Sequence, residues 1–138
     1  MTNSLIRKID CVQLPVPDLD AGLAFYRDQL GHELIWRTAM AVGLRLPHTD
    51  AELVLQRERP EPEVDLLVDS ADEAAQRIQA AGGSVIIPPF DIPIGRCVVV
   101  ADPWGNQLVL LDLSKGTYTT DDVGQVTGVA RDGLSTET

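Results

Sequence analysis

Few residues in this 138-residue chain are of types that do chemistry, and their spacing narrows what they can do. Cys11 and Cys97 are the only cysteines; they make no disulfide framework and fit no paired zinc-ligand spacing, as expected in a reducing compartment. Cys11 reads as a small packing residue rather than a nucleophile, since no histidine falls near it in the pattern to activate it. His32 follows a helix stop and His48 lies in the turn Pro47 to Asp50, so both read as solvent-facing loop residues. There is no Gly-rich phosphate loop, nucleophile elbow or paired-carboxylate spacing. What remains is material for a binding surface. Gln13, Glu52, Val54, Gln56, Glu63, Asp65, Leu67, Gln107, Val109 and Leu111 fall on one face of their strands, because the intervening Leu53, Leu55, Val64, Leu66, Leu108 and Leu110 are apolar and belong against helices. An apolar floor with a few carboxylates and amides suits a small molecule. The carboxylates favour a cationic ligand, and Trp36 and Trp104, placed at the margin, could stack on an aromatic or cationic group. Trp104 stands in a turn, so packing beneath a hairpin is an equal reading.

The elements that must position these residues occur twice, 52 positions apart. Val12 to Val16 and Asp18 to Gly31 recur as Val64 to Val68 and Ser70 to Gly83, which predicts two matching modules with a shared surface between them. The first module, 5–57, opens with a strand over Ile9 to Val16, with Cys11, Gln13 and Pro15 on one side and Val12, Leu14 and Val16 on the other. Asp18 caps a helix with the stripe Leu19, Leu23, Tyr26 and Leu30, ended by Gly31. Strands follow at Leu34 to Thr38, Met40 to Leu46 and Leu53 to Gln56. Arg57 to Glu63, rich in proline and charge, is a linker. The second module, 63–113, has a capping box at Ser70 and Glu73, the stripe Ala74, Ala75, Ile78 and Ala81, a stop at Gly82-Gly83, and strands at Val85 to Ile87, Arg96 to Ala101 and Gln107 to Leu111. Asp102-Pro103-Trp104-Gly105-Asn106 turns the last two strands into a hairpin. The loop Pro88 to Ile94, stiffened by three prolines, is placed to fold over a cleft. After Leu113 the composition turns to Gly, Thr, Asp and Ser, and 114–138 reads as a polar tail, either mobile or strapped over a partner subunit.

At 44% apolar, the chain has the material of one globular domain. The net charge of −10 argues against a nucleic-acid partner, which needs Lys and Arg for phosphates. No segment approaches a membrane span and no apolar signal run opens the chain, so the cytoplasm is the expected location.

Four stretches carry a resemblance: Val16-x-Asp18-Leu19, Phe25-Tyr26-Arg27-Asp28-x-Leu30-Gly31, Gly95-Arg96, and Asp102 to Leu110. On these, between Ile6 and Leu113, the chain resembles the glyoxalase/bleomycin-resistance group, the vicinal oxygen chelate superfamily. The resemblance implies an α+β fold of two βαβββ modules in one chain, forming a curved mixed-sheet cup with helices outside, and a homodimer. The superfamily includes metal-dependent isomerases, epimerases, thiol transferases and ring-cleaving dioxygenases, and also metal-free proteins that sequester antibiotics. Its metal-using members take a ligand from the first strand of each module, usually His, and one from the fourth, usually Glu. Carried over, those positions are Cys11, Glu63, Val54 and Val109. Two valines cannot bind a cation, and Cys11 with Glu63 alone would be a poor cage. Glu52 could add a third ligand, since it shares a face with Val54, or would occupy the ligand position if the register shifted. Arg96 matches a segment that borders the cavity in relatives, where it would hold an anionic group; an internal ion pair with one of the acidic residues of the cup is the slightly favoured reading. The resulting expectation is a small-molecule binding protein without a cofactor that sequesters an antibiotic or metabolite. The alternative is a glyoxalase-like lyase or isomerase, or a ring-cleaving dioxygenase, using a divalent metal at Cys11, Glu52 and Glu63.

Overall fold

Alternation of apolar and polar residues gives each strand two faces, and a computed structural model of the chain, describing residues 3–131, shows how those strands pair. Two compact units result. One is Asp10–Val64 with Tyr118–Gly128; the other is Asp65–Thr117 with the segments at 3–9 and 129–131. The first unit runs β1 (Lys8–Pro15), α1 (Leu19–Leu23), β2 (Leu34–Arg37), β3 (Ala41–Arg45) and β4 (Glu52–Gln56). Its strands are ordered β2-β3-β4-β1, with β1 parallel to β4 and the other neighbours antiparallel. The second unit runs β5 (Glu63–Leu67), α2 (Ala71–Ala80), β6 (Ser84–Ile92), β7 (Gly95–Ala101) and β8 (Gln107–Leu111), ordered β5-β8-β7-β6 with β5 parallel to β8. Each is the βαβββ arrangement the repeat predicts. No helix among the described residues is long and apolar enough to cross a membrane.

The two helices start alike and end differently. Asp18 accepts from the Ala21 amide and Ser70 from that of Glu73, so both predicted caps are in place. Helix α2 buries Ala71, Ala74 and Ala75 against Val68, Val98, Val100 and Leu110. Small alanines let the helix approach the sheet closely. Helix α1 instead widens into a π-helical turn over Ala24–Gln29, seen in the bond from the Leu30 amide to the Phe25 carbonyl at 3.0 Å. Leu19, Leu23 and Tyr26 keep to the core with Val42, Leu44 and Leu55, but the wider turn carries Leu30 off that stripe and leaves it 53% exposed.

Two expectations are corrected. Pro88 to Ile94 is no lid: β6 continues through it to Ile92 and pairs with β7, Phe90 opposite Cys97 and Asp91 opposite Arg96. Prolines fit there because β6 is the outer strand of its sheet and its register slips between Ile87 and Phe90. Nor is the stretch after Leu113 a structureless tail throughout, since β9 (Thr117–Thr120) and β10 (Val126–Ala130) pair as a hairpin. Asp121 shapes its turn by accepting from the amides of Val123 and Gln125. The Arg37 amide, at the end of β2, donates to the Gly124 carbonyl at 2.8 Å, and the Gln125 side chain donates to the Arg37 carbonyl at 3.1 Å. Composition concealed this hairpin because backbone pairing, not apolar burial, holds it. Residues 132–138 of the expected tail lie outside the described residues.

Asp112, buried just after β8, ties the second unit together. It accepts from the Ala71 amide at the start of α2 (2.8 Å), the Arg96 amide of β7 (2.9 Å), and the Ser114 amide and hydroxyl (3.1 and 2.7 Å). Burial pushes its pKa up, but these donors outweigh burial and hold it below the ordinary aspartate value. Asp112→Ala should cost about 3 kcal/mol, the scale of several lost bonds to a charged acceptor. Because the folded-state pKa lies below the unfolded one, the stabilisation is complete above the ordinary value of about 3.9 and is lost as the pH falls through that window. Urea unfolding at stepped pH should show the advantage of the native protein over Asp112→Asn shrinking below about pH 4.

Candidate functional site

The parallel pairing of first and fourth strands decides which side chains lie side by side. In the first unit Cys11 stands opposite Glu52, Gln13 opposite Val54 and Pro15 opposite Gln56. In the second, Asp65 stands opposite Val109 and Leu67 opposite Leu111. Gln13 and Asp65 are repeat equivalents, so Val54 and Val109 occupy matching places in their units, and Glu52 is one pleat along β4 from Val54.

On the face of the first unit opposite α1, one row crosses the sheet: Gln13, Val54, Gly43 and Trp36. Gly43 lacks a side chain for a visible reason. A Cβ there would clash with the indole of Trp36, which lies across the gap. From that position the Trp36 Nε1–H donates to Glu52 Oε1 at 2.6 Å. Burial raises the pKa of Glu52, the indole bond opposes the rise, and the nearby Asp10 and Arg45 act in opposite directions. Tyr118 of β9 packs against Trp36, ring centroids 5.0 Å apart and planes tilted by 51°. No signal in the sequence pointed to Tyr118, because it comes from the segment read as a tail.

The other expected residues are dispersed. Gln56 is a loop anchor: its buried side chain donates to the Arg59 carbonyl and accepts from the amides of Glu58 and Arg59. Arg59, also missed, reaches the Gln13 carboxamide and pairs with Glu63 at 3.5 Å. A groove of about 530 Å³ lies at the ends of β1 and β4, between Pro15, Val16 and Pro17 on one side and Arg57 to Pro60 on the other. Glu63 is therefore held by an arginine and Glu52 by an indole. Among the described residues no three His, Cys, Asp or Glu side chains converge, so the set Cys11, Glu52 and Glu63 is not assembled. The residues present do not fit the metal that the resemblance implies for some members.

In the second unit Asp65 is only 5% exposed, while Gln107 is exposed at the start of β8. Val109 lies between Asp65 and Val99. Trp104 is neither stacked in a site nor packed beneath its hairpin: it is 83% exposed at the turn tip, where Asp102 accepts from the Trp104 and Asn106 amides and the Asn106 side chain. Arg96 alternates onto the helix side with Val98 and Val100, where it pairs with Asp72 of α2 and Asp91 of β6, both at 3.2 Å. Arg96 is thus ion-paired, but not with an acidic residue of the cup as expected: its partners lie on the side away from Asp65 and Val109.

The Trp36–Glu52 bond is directly testable. Glu52→Gln keeps an acceptor for the indole and removes the charge that burial disfavours, so its stability at neutral pH should equal or exceed that of the native protein. Glu52→Ala strands the indole N–H and should cost about 1–3 kcal/mol in urea unfolding.

Comparison with known proteins agrees with this architecture. The family model of the Glyoxalase/Bleomycin resistance protein/Dioxygenase superfamily matches residues 8–110. Two proteins named "Putative glyoxylase CFP32", from Mycobacterium bovis and Mycobacterium tuberculosis, are 39% identical over 95 residues, covering 62% of this chain. The chain spans about a third (36%) of the length of these curated relatives. Among solved structures, a methylmalonyl-CoA epimerase from Mycobacterium tuberculosis superposes with a TM-score of 0.67 at 19% identity, over 81% of this chain and 91% of that one. The Mn(II)-bound glyoxalase from Novosphingobium aromaticivorans gives 0.56 at 23% identity, over 94% of this chain and 43% of that one. At these identities the structural likeness is one of fold. Two βαβββ units and a family match running from β1 into β8 together place the chain in the Glyoxalase/Bleomycin resistance protein/Dioxygenase superfamily.

Proposed function

We propose that this superfamily member is a metal-independent small-molecule binding protein that sequesters an antibiotic or metabolite. One observation carries the reading: three of the four positions corresponding to the ligands of metal-using members hold side chains that cannot ligate or are paired elsewhere, which leaves only the Cys11 position. Val54 and Val109 are aliphatic, Glu63 pairs with Arg59, and the nearby Glu52 is hydrogen-bonded to Trp36. A divalent ion needs several deprotonated ligands aimed at one point, and Cys11, Glu52 and Glu63 do not converge to supply them. The face of the first unit brings half-buried Trp36 together with amide and carboxylate groups from Gln13 and Glu52 over a buried Val54, a mixed apolar and polar lining of the kind small-molecule sites use.

The second reading is a glyoxalase-like metal enzyme, favoured by the name of the curated relatives and by the Mn(II)-bound glyoxalase among the fold neighbours. Native mass spectrometry of the protein purified without chelator separates the two. The expected spectrum is a homodimer with no stoichiometric metal, unchanged by EDTA, and with an organic adduct where ligand survives purification. A one-to-one complex with Mn, Ni, Zn or Fe that raises the melting temperature and is lost in EDTA would overturn the proposal.

A further inference from the structure

The C-terminal hairpin lies outside the stretch that matches the family, yet it reaches the candidate site. Its docking is built from backbone: the Arg37 amide to the Gly124 carbonyl, the Gln125 side chain to the Arg37 carbonyl, and a parallel bridge between Arg37 and Gln125. Gly124 sits against Leu34 at the other end of β2. This anchorage delivers Tyr118 to the ring of Trp36. Burial raises the pKa of the Tyr118 hydroxyl, and the charges of Glu52 and Glu58 raise it further. Trp36, Tyr118 and Glu52 are all half-buried, which leaves part of each open. Glu52 uses Oε1 for the indole, and a carboxylate carries a second oxygen that is also an acceptor.

Two aromatic rings beside a partly desolvated carboxylate form a subsite of one chemical preference. The ring faces attract a cation through their quadrupoles, and the carboxylate attracts it by charge and can accept from an N–H. The net charge of −10 draws cations toward the protein as a whole. We infer that Trp36, Tyr118 and Glu52 form a subsite for an organic cation carrying N–H donors, a protonated amine, and that the C-terminal hairpin is the specificity element that completes it. This rests on the small-molecule reading above and narrows it to a ligand class. Tyr118 acts as a wall of the subsite through its ring, with its hydroxyl dispensable.

The test compares benzylammonium with benzyl alcohol, close in shape and different in charge. Binding to the full chain is read from Trp36 fluorescence in a Trp104→Phe background, since the exposed Trp104 would otherwise add signal. Benzylammonium should bind saturably and about tenfold more tightly than the alcohol, the scale of a cation–π contact joined to a charge-assisted bond. Glu52→Gln, which keeps the indole acceptor, should abolish that preference. Tyr118→Ala should weaken benzylammonium about tenfold, while Tyr118→Phe, which keeps the ring and guards against misfolding as the explanation, should stay within about twofold. Equal binding of the two probes, persistence of the preference in Glu52→Gln, or no saturable binding of benzylammonium would overturn the inference and leave the small-molecule reading standing. A requirement of either probe for an added divalent metal would instead overturn the small-molecule reading.

Discussion

The architecture depends on one constraint: in each unit the first strand pairs in parallel with the fourth. Parallel neighbours cannot be joined by a tight turn, so chain must be spent between them, and here a helix and two further strands are interposed. The helix covers one face of the sheet and supplies its core, Leu19 and Leu23 in one unit and Ala71, Ala74 and Ala75 in the other. The opposite face is left to side chains of the same strands at alternate positions. On that face the parallel register brings residues about forty positions apart into contact, such as Cys11 with Glu52 and Asp65 with Val109.

What the first unit does with that face follows from a missing side chain. Gly43 leaves a gap in the row from Gln13 to Trp36, and the indole fills it. A large ring laid flat over a sheet contributes apolar cover while its N–H still requires a partner, which Glu52 provides. The carboxylate is thereby held within an aromatic setting instead of converging with other ligands on a cation. Commitment of the same kind recurs elsewhere: Glu63 to Arg59, Arg96 to Asp72 and Asp91, and Asp112 to three amides and a hydroxyl. Most of the charged groups that sequence patterns single out are used to join elements.

The repeat, both helix caps and the assignment of Val54 and Gln13, and of Val109, to the face of their own unit away from its helix were legible because they depend on local rules, namely periodicity, capping chemistry and alternation. Three things were not. The length of β6 was hidden by Pro88 and Pro89, which mark a break everywhere except on an outer strand with a slipped register. The widening of α1 into a π-turn follows from packing, and no residue between Ala24 and Gln29 announces it. The hairpin from Thr117 to Ala130 has the composition of a disordered segment, and it forms because β2 offers it backbone partners.

The same division holds for the candidate site. Sequence by itself determined the two βαβββ units, the family, and which residue types stand where metal-using relatives have ligands, since identity and spacing are properties of the chain. Tertiary structure alone decided that Trp36 lies across Gly43 and bonds Glu52, that Arg96 points to the helix side, that Trp104 stands in solvent, and that Tyr118 joins the site. Each of these depends on which distant segment arrives beside a residue, and strand pairing between segments far apart in the chain sets that, where periodicity has nothing to say.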